Sequence, residues 1–104
     1  MILAVVTFRL PKPTSLAEAT AAFQSTAPKY QGLKGLLRKN YWLSEDGTRA
    51  GGVYLWETRA DAERVYTEEW KKTVEAKYGS PPTVEYLHAP VMVDNRDGSI
   101  SVAA

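Results

Sequence analysis

The chain has no cysteine, which excludes thiolate metal sites, iron–sulfur ligation, a cysteine nucleophile and any disulfide framework. A single histidine, His88, leaves too few ligands for an ordinary zinc site, so no metal is expected. Neither charge sign dominates: 13 Lys and Arg stand against 12 Asp and Glu, a formal charge of +1. Such a surface has little field to recruit nucleic acid or an anionic membrane, and neither partner is expected. No apolar run approaches the roughly 20 residues of a membrane span. The opening "MILAVVTFRLPKP" lacks an early basic region and a small-residue cleavage site, so it does not read as a signal peptide, and a cytoplasmic protein is expected. Also missing are a glycine-rich phosphate loop, a paired-carboxylate motif and a serine nucleophile elbow; "GLKGLL" is not such a loop.

What is present suits one domain of 104 residues. Ile2 to Arg9 is β-branched and apolar and stops at "PKP", as a buried strand would. Ser15 with Glu18 has the spacing of a capping box and begins a helix with Leu16, Ala19, Phe23 and Ala27 on its apolar stripe, ended by Pro28 and Gly32. Two strand-like segments flank Asp46 and Gly47, a pair that suits a tight hairpin turn. Thr58 and Asp61 start a second helix, with Ala62, Val65, Tyr66, Trp70, Val74 and Tyr78 as its stripe and Gly79 as its stop. Its "TEEWKK" stretch reads as a solvated face with one Trp turned inward. A last strand runs from Thr83 to Val93, and Pro90 within it places it at the sheet margin. Residues from about 96 to 104 read as a small, polar, flexible tail.

The order strand, helix, strand, strand, helix, strand predicts a ferredoxin-like α+β fold: an antiparallel four-stranded sheet with both helices on one face. The other face is then open and apolar enough to be costly in water, and pairing of two copies through it would cover that face.

A two-residue turn at Asp46–Gly47 sets Lys39 opposite Tyr54, Tyr41 opposite Gly52 and Leu37 opposite Trp56, so Lys39, Tyr41, Tyr54 and Trp56 share a face. A three-residue loop would instead bring Arg38, Asn40 and Trp42 beside the same aromatics. Either register puts a cation next to Tyr54. Each aromatic alone is ordinary core material. Together Tyr41, Tyr54, Trp56, Tyr66 and Trp70 carry many polar atoms for a dry interior, which favours a pocket for a small aromatic ligand. Gly51 and Gly52 add no bulk on either face and leave room there. His88, as the single imidazole, is the natural general acid or base, although a surface or structural histidine fits as well.

The run "GLLRKNYWLSEDGTRAGGVYLWETRADAERVY", with "VDN" near the end, resembles the YdhR-like monooxygenase family of the dimeric α+β barrel superfamily. The likeness is most specific at Gly35, at Leu37, Lys39 and Tyr41, and in the block Ala50 to Trp56; the first helix matches only in pattern. It implies a homodimer of two packed sheets and a cavity in each subunit between sheet and helices. The superfamily includes cofactor-independent monooxygenases acting on phenolic aromatics, haem-degrading enzymes, and isomerases or lyases. Haem-degrading relatives use a histidine on the second helix, which this chain lacks. The expected function is therefore oxidation of a small electron-rich aromatic or polyketide-like compound by O2, with no cofactor. In that reading Lys39 and His88 favour the ionised substrate and Tyr54 or Tyr41 holds its oxyanion, while Phe23, Trp56, Tyr66 and Trp70 form the walls. An isomerase or lyase using Lys39 or His88, and a non-enzymatic ligand-binding or stress-associated dimer, are the alternatives. An RNA-binding sheet of the same topology is opposed by the near-neutral charge.

Overall fold

The computed structural model describes residues 1–103. Strand β1 (Ile2–Arg9) leads through the predicted capping box, with Ser15 Oγ accepting from Glu18 N at 3.1 Å and Glu18 Oε1 accepting from Ser15 N at 3.2 Å, into helix α1 (Leu16–Thr26). A 3-10 turn (Ala27–Tyr30) follows, then β2 (Leu36–Leu43) and β3 (Arg49–Trp56). Two helices, α2 (Arg59–Glu63) and α3 (Glu68–Tyr78), precede β4 (Thr83–His88). The four strands form an antiparallel sheet in the order β2-β3-β1-β4, the ferredoxin-like arrangement expected from the sequence.

Alternation along the strands sorts the side chains into two faces. Ala4, Val6 and Phe8 of β1 and Ala50, Tyr54 and Trp56 of β3 are buried and form the core with Ala62 and Tyr66. Leu3, Val5, Val53, Leu55, Arg38, Asn40 and Trp42 occupy the other face by register. Leu16 is exposed rather than on the buried stripe of α1, because Ala19 and Phe23 already occupy the surface that meets the sheet.

Three sequence expectations are corrected. The second helix is two: Thr67 is a new N-cap whose hydroxyl accepts from Trp70 N at 3.1 Å, and Glu68 and Glu69 fill the first turn that a helix dipole favours for acids. The last strand does not run through Pro90. It ends at His88, at the sheet edge, and the chain resumes as β5 (Val91–Asp94). Nor do the residues after 96 form a loose tail, because β6 (Ser99–Val102) pairs with β5 in a separate hairpin. Asp94 closes its turn by accepting from Arg96 N, Nε and Nη2, and Gly98 takes a positive φ of 73° that a side chain would strain. The expected tail also includes Ala104, which lies outside the described residues. Among those residues no helix is long and apolar enough to cross a membrane.

Candidate active site

The β2–β3 hairpin has the register of the two-residue turn, Lys39 opposite Tyr54 and Tyr41 opposite Gly52, so the three-residue alternative is not adopted. The connection is longer than expected, with Ser44 N bonded to Arg49 O and Gly47 N to Ser44 O, but two extra residues preserve the facing parity. A bulge at Leu37 shifts the far end, so that Leu36 rather than Leu37 opposes Trp56.

This register puts Lys39 and Tyr41 under the helices, against a gap left by Gly52. A Cβ there would stand 2.9 Å from Tyr54 Cε1 and 3.1 Å from Lys39 Cε, so the missing side chain is the space these two use. Gly51 serves the opposite face: a Cβ on it would overlap the Val6 carbonyl oxygen and come within 3.0 Å of the Trp42 ring. Gly35, with φ 80°, packs so closely on Asp61 that any side chain would overlap its carboxylate. That buried acid accepts from Thr58 Oγ1 at 2.9 Å and Arg64 Nη1 at 2.8 Å, and fixes the start of α2.

Above Gly52 lies a cavity of about 150 Å³, close to the apolar volume of about 150 Å³ known to take one benzene ring. Its floor is Val6, Phe8 and Gly52, and its walls are Phe23, Tyr30, Tyr41, Tyr54, Trp70 and Tyr78. Phe23 stacks on Tyr41 with centroids 4.8 Å apart, and Tyr30 meets Tyr54 edge-on at 5.7 Å. The Tyr41 hydroxyl is held by Thr26 Oγ1 at 2.8 Å.

The Lys39 ammonium nitrogen enters this aromatic lining. Nζ stands 3.5 Å from the Tyr30 ring centroid, 3.7 Å from Tyr41 and 4.5 Å from Tyr54. No carboxylate lies within ion-pairing distance of it among the described residues. Burial without a counter-ion lowers its pKa to about 7; the three ring faces, which attract the ammonium, resist part of that fall. Burial raises the Tyr54 and Tyr41 hydroxyls above their ordinary values, so both remain neutral hydrogen-bonding groups at physiological pH.

Of the residues singled out from sequence, Lys39, Tyr54, Phe23, Tyr41 and Trp70 meet around this cavity. Trp56 and Tyr66 do not line it. Trp56 is fully buried, its indole Nε1 donating to Tyr66 Oη at 3.1 Å, so the pair satisfies its own polar atoms inside the core. His88 is elsewhere: it pairs with Ile2, is exposed, and stands four residues along the sheet from Val6, about 13 Å away. Tyr30 was missed, since it sits on a 3-10 turn after Pro28 where no helical or strand period marks an inward side chain.

The fold is shared with solved monooxygenases. A structure of a "Putative antibiotic biosynthesis monooxygenase" from Bordetella bronchiseptica is similar at TM-score 0.61 and 21% identity, over 85% of this chain and 95% of that one. A monooxygenase from the gene ActVA-Orf6 of Streptomyces coelicolor, in complex with the ligand nanaomycin D, is similar at TM-score 0.61 and 21% identity, over 85% and 86% of the two chains. At that identity the likeness establishes the fold. Residues 3–81 match the family model described as "Putative mono-oxygenase ydhR", and the chain belongs to that family. No curated protein matches it.

Proposed function

We propose that the protein is a cofactor-independent monooxygenase that oxidises a small phenolic aromatic with O2 at the Lys39 cavity. The observation that carries this reading is the uncompensated Lys39 amine among three tyrosine rings at the edge of a cavity sized for one ring. Ground-state O2 reacts slowly with neutral closed-shell molecules, and a phenolate gives up an electron far more readily than its phenol. The neutral amine of Lys39 takes the phenol proton, and the ammonium so formed holds the phenolate by charge. One electron passes to O2, and the resulting radical pair joins through a carbon–oxygen bond as a hydroperoxide. Cleavage of its oxygen–oxygen bond then leaves a quinone carbonyl and releases the second oxygen atom as water, carrying two hydrogens from the phenol. Aromatic walls exclude bulk water while the ion pair exists. The structurally similar Streptomyces monooxygenase is in complex with a ligand, nanaomycin D, which agrees with a small-molecule substrate here. A ligand larger than one ring would require the adjoining cleft beside Leu10, which shares Phe23, Lys77 and Tyr78 with the cavity.

The same reading makes the protein a homodimer. The face of the sheet away from the helices carries the half-buried Val5 and Val53, and the indole N–H of Trp42 is buried there with no partner among the described residues. The terminal hairpin exposes Val91, Val93, Ile100 and Val102 on one side. A second copy would cover such surfaces; a solution mass of one chain at micromolar concentration would contradict this.

Oxygen uptake by purified, metal-free protein with a panel of hydroquinones and anthrones tests the reaction. Uptake above the buffer rate with at least one compound is expected. No uptake across the panel would overturn the oxygenase reading.

A further inference from the structure

We propose that the ligand of this cavity is an aromatic carboxylic acid, its ring among the tyrosines and its carboxylate at the rim between Lys29 and Lys77. The proposal rests on the cavity being the ligand site. Three lysines line it, Lys29, Lys39 and Lys77, and among the described residues no Asp or Glu does. In a chain of 13 basic and 12 acidic residues that is a local excess of one sign. None of the three has a carboxylate within ion-pairing distance among the described residues.

The lysines come from three elements: Lys29 from the 3-10 turn, Lys39 from β2 and Lys77 from the last turn of α3. A helix C-terminus favours a cation, which accounts for Lys77 alone. It does not place a second lysine on a facing turn, nor a third inside. The acid nearest in the adjoining cleft is Glu18, whose carboxylate is committed to the Ser15 capping box. Of the cavity hydroxyls, that of Thr26 is bonded to the Phe23 carbonyl and Tyr41 and that of Thr73 to the Glu69 carbonyl, while Tyr30, Tyr54 and Tyr78 present neutral hydroxyls. The charged groups of the rim are all cationic, and an uncharged ligand leaves them without a counter-charge.

Lys39 is half-buried among the tyrosine rings, and Lys29 and Lys77 are exposed. A ring filling about 150 Å³ then presents one end to Lys39 and the other to the two outer ammonium groups. A hydroxyl at the inner end and a carboxylate at the outer end match that order of charges.

Calorimetric titration of the full chain with 4-hydroxybenzoate and with 4-hydroxybenzamide tests this without any turnover. The acid is expected to bind at least about tenfold more tightly than the amide at low salt. The preference should shrink in about 0.3 M salt, because the outer lysines are open to solvent. It should vanish in the double variant Lys29→Gln, Lys77→Gln, with far-ultraviolet circular dichroism unchanged. Equal binding of acid and amide, retention of the preference in the double variant, or no saturation by the acid below about 10 mM would each overturn the proposal. Oxygen uptake is read separately, so a failed oxygenase reading leaves this result interpretable.

Discussion

Lys39→Met is expected to lower kcat for a phenolic substrate by on the order of 10²-fold while changing KM far less. Methionine keeps the apolar stem beside Tyr54 and Gly52 but removes the amine that reaches the three tyrosine rings. The loss therefore falls on proton removal and anion stabilisation rather than on filling the cavity. The pH profile separates this from a packing effect. Only the neutral amine accepts a proton, so wild-type kcat/KM should fall with falling pH along a limb at or slightly above pH 7, where burial sets the Lys39 pKa. The variant should lack that limb.

Stability moves in a direction that excludes unfolding as the cause. A lysine whose pKa is lowered on folding binds fewer protons in the native state, so wild-type stability rises between pH about 7 and the ordinary lysine value. Below that window the full cost of burying the ammonium is present. Lys39→Met carries no such cost and should be at least as stable as the wild type at neutral pH. Wild-type kcat in the variant, measured by oxygen uptake, would remove Lys39 from the chemistry.

Gly51→Ala is expected to destabilise the fold by about 3 kcal/mol or more, with the melting temperature falling on the order of 15 °C. The new methyl group would overlap the carbonyl oxygen of Val6 on the central strand β1, and backbone in the middle of a sheet cannot move aside locally. Its neighbour differs. At Gly52 the nearest atoms are the Tyr54 ring edge and the Lys39 stem, side-chain atoms that can shift by a few tenths of an ångström. Gly52→Ala should therefore cost about 1 kcal/mol and act mainly on the position of the amine. Urea denaturation of the two variants checks the contrast, and equal losses would contradict it.

These two glycines show how far the sequence could be read. Their adjacency inside a strand signalled missing bulk on both faces, and the alternation from Ala50 to Trp56 put Tyr54 and Trp56 on one shared face. The Lys39–Tyr54 pairing followed from hairpin parity, which two residues more in the loop do not alter. The bulge at Leu37 was not legible, because no glycine or proline marks it within Leu36–Leu43. Trp56 and Tyr66 misled for a definable reason: polar atoms in an aromatic cluster suggested a wet pocket, but the indole and the phenol satisfy each other in the core. His88 was chosen by its chemistry alone, and the register of β4 sets it opposite Ile2, four residues along β1 from the Val6–Gly52 pair. The break after Tyr66 was visible in "TEEW", whose Thr and two acids are good helix-start residues. The continuous apolar stripe across it hid the signal.

Whether Lys39 ionises a phenol in this cavity is read most directly from the ultraviolet difference spectrum of a bound phenol whose own pKa lies about two units above the buffer pH. In metal-free wild-type protein at neutral pH the bound ligand should absorb as its phenolate, and Lys39→Met should return it to the neutral form. A wild-type spectrum of bound neutral phenol would contradict the role assigned to Lys39.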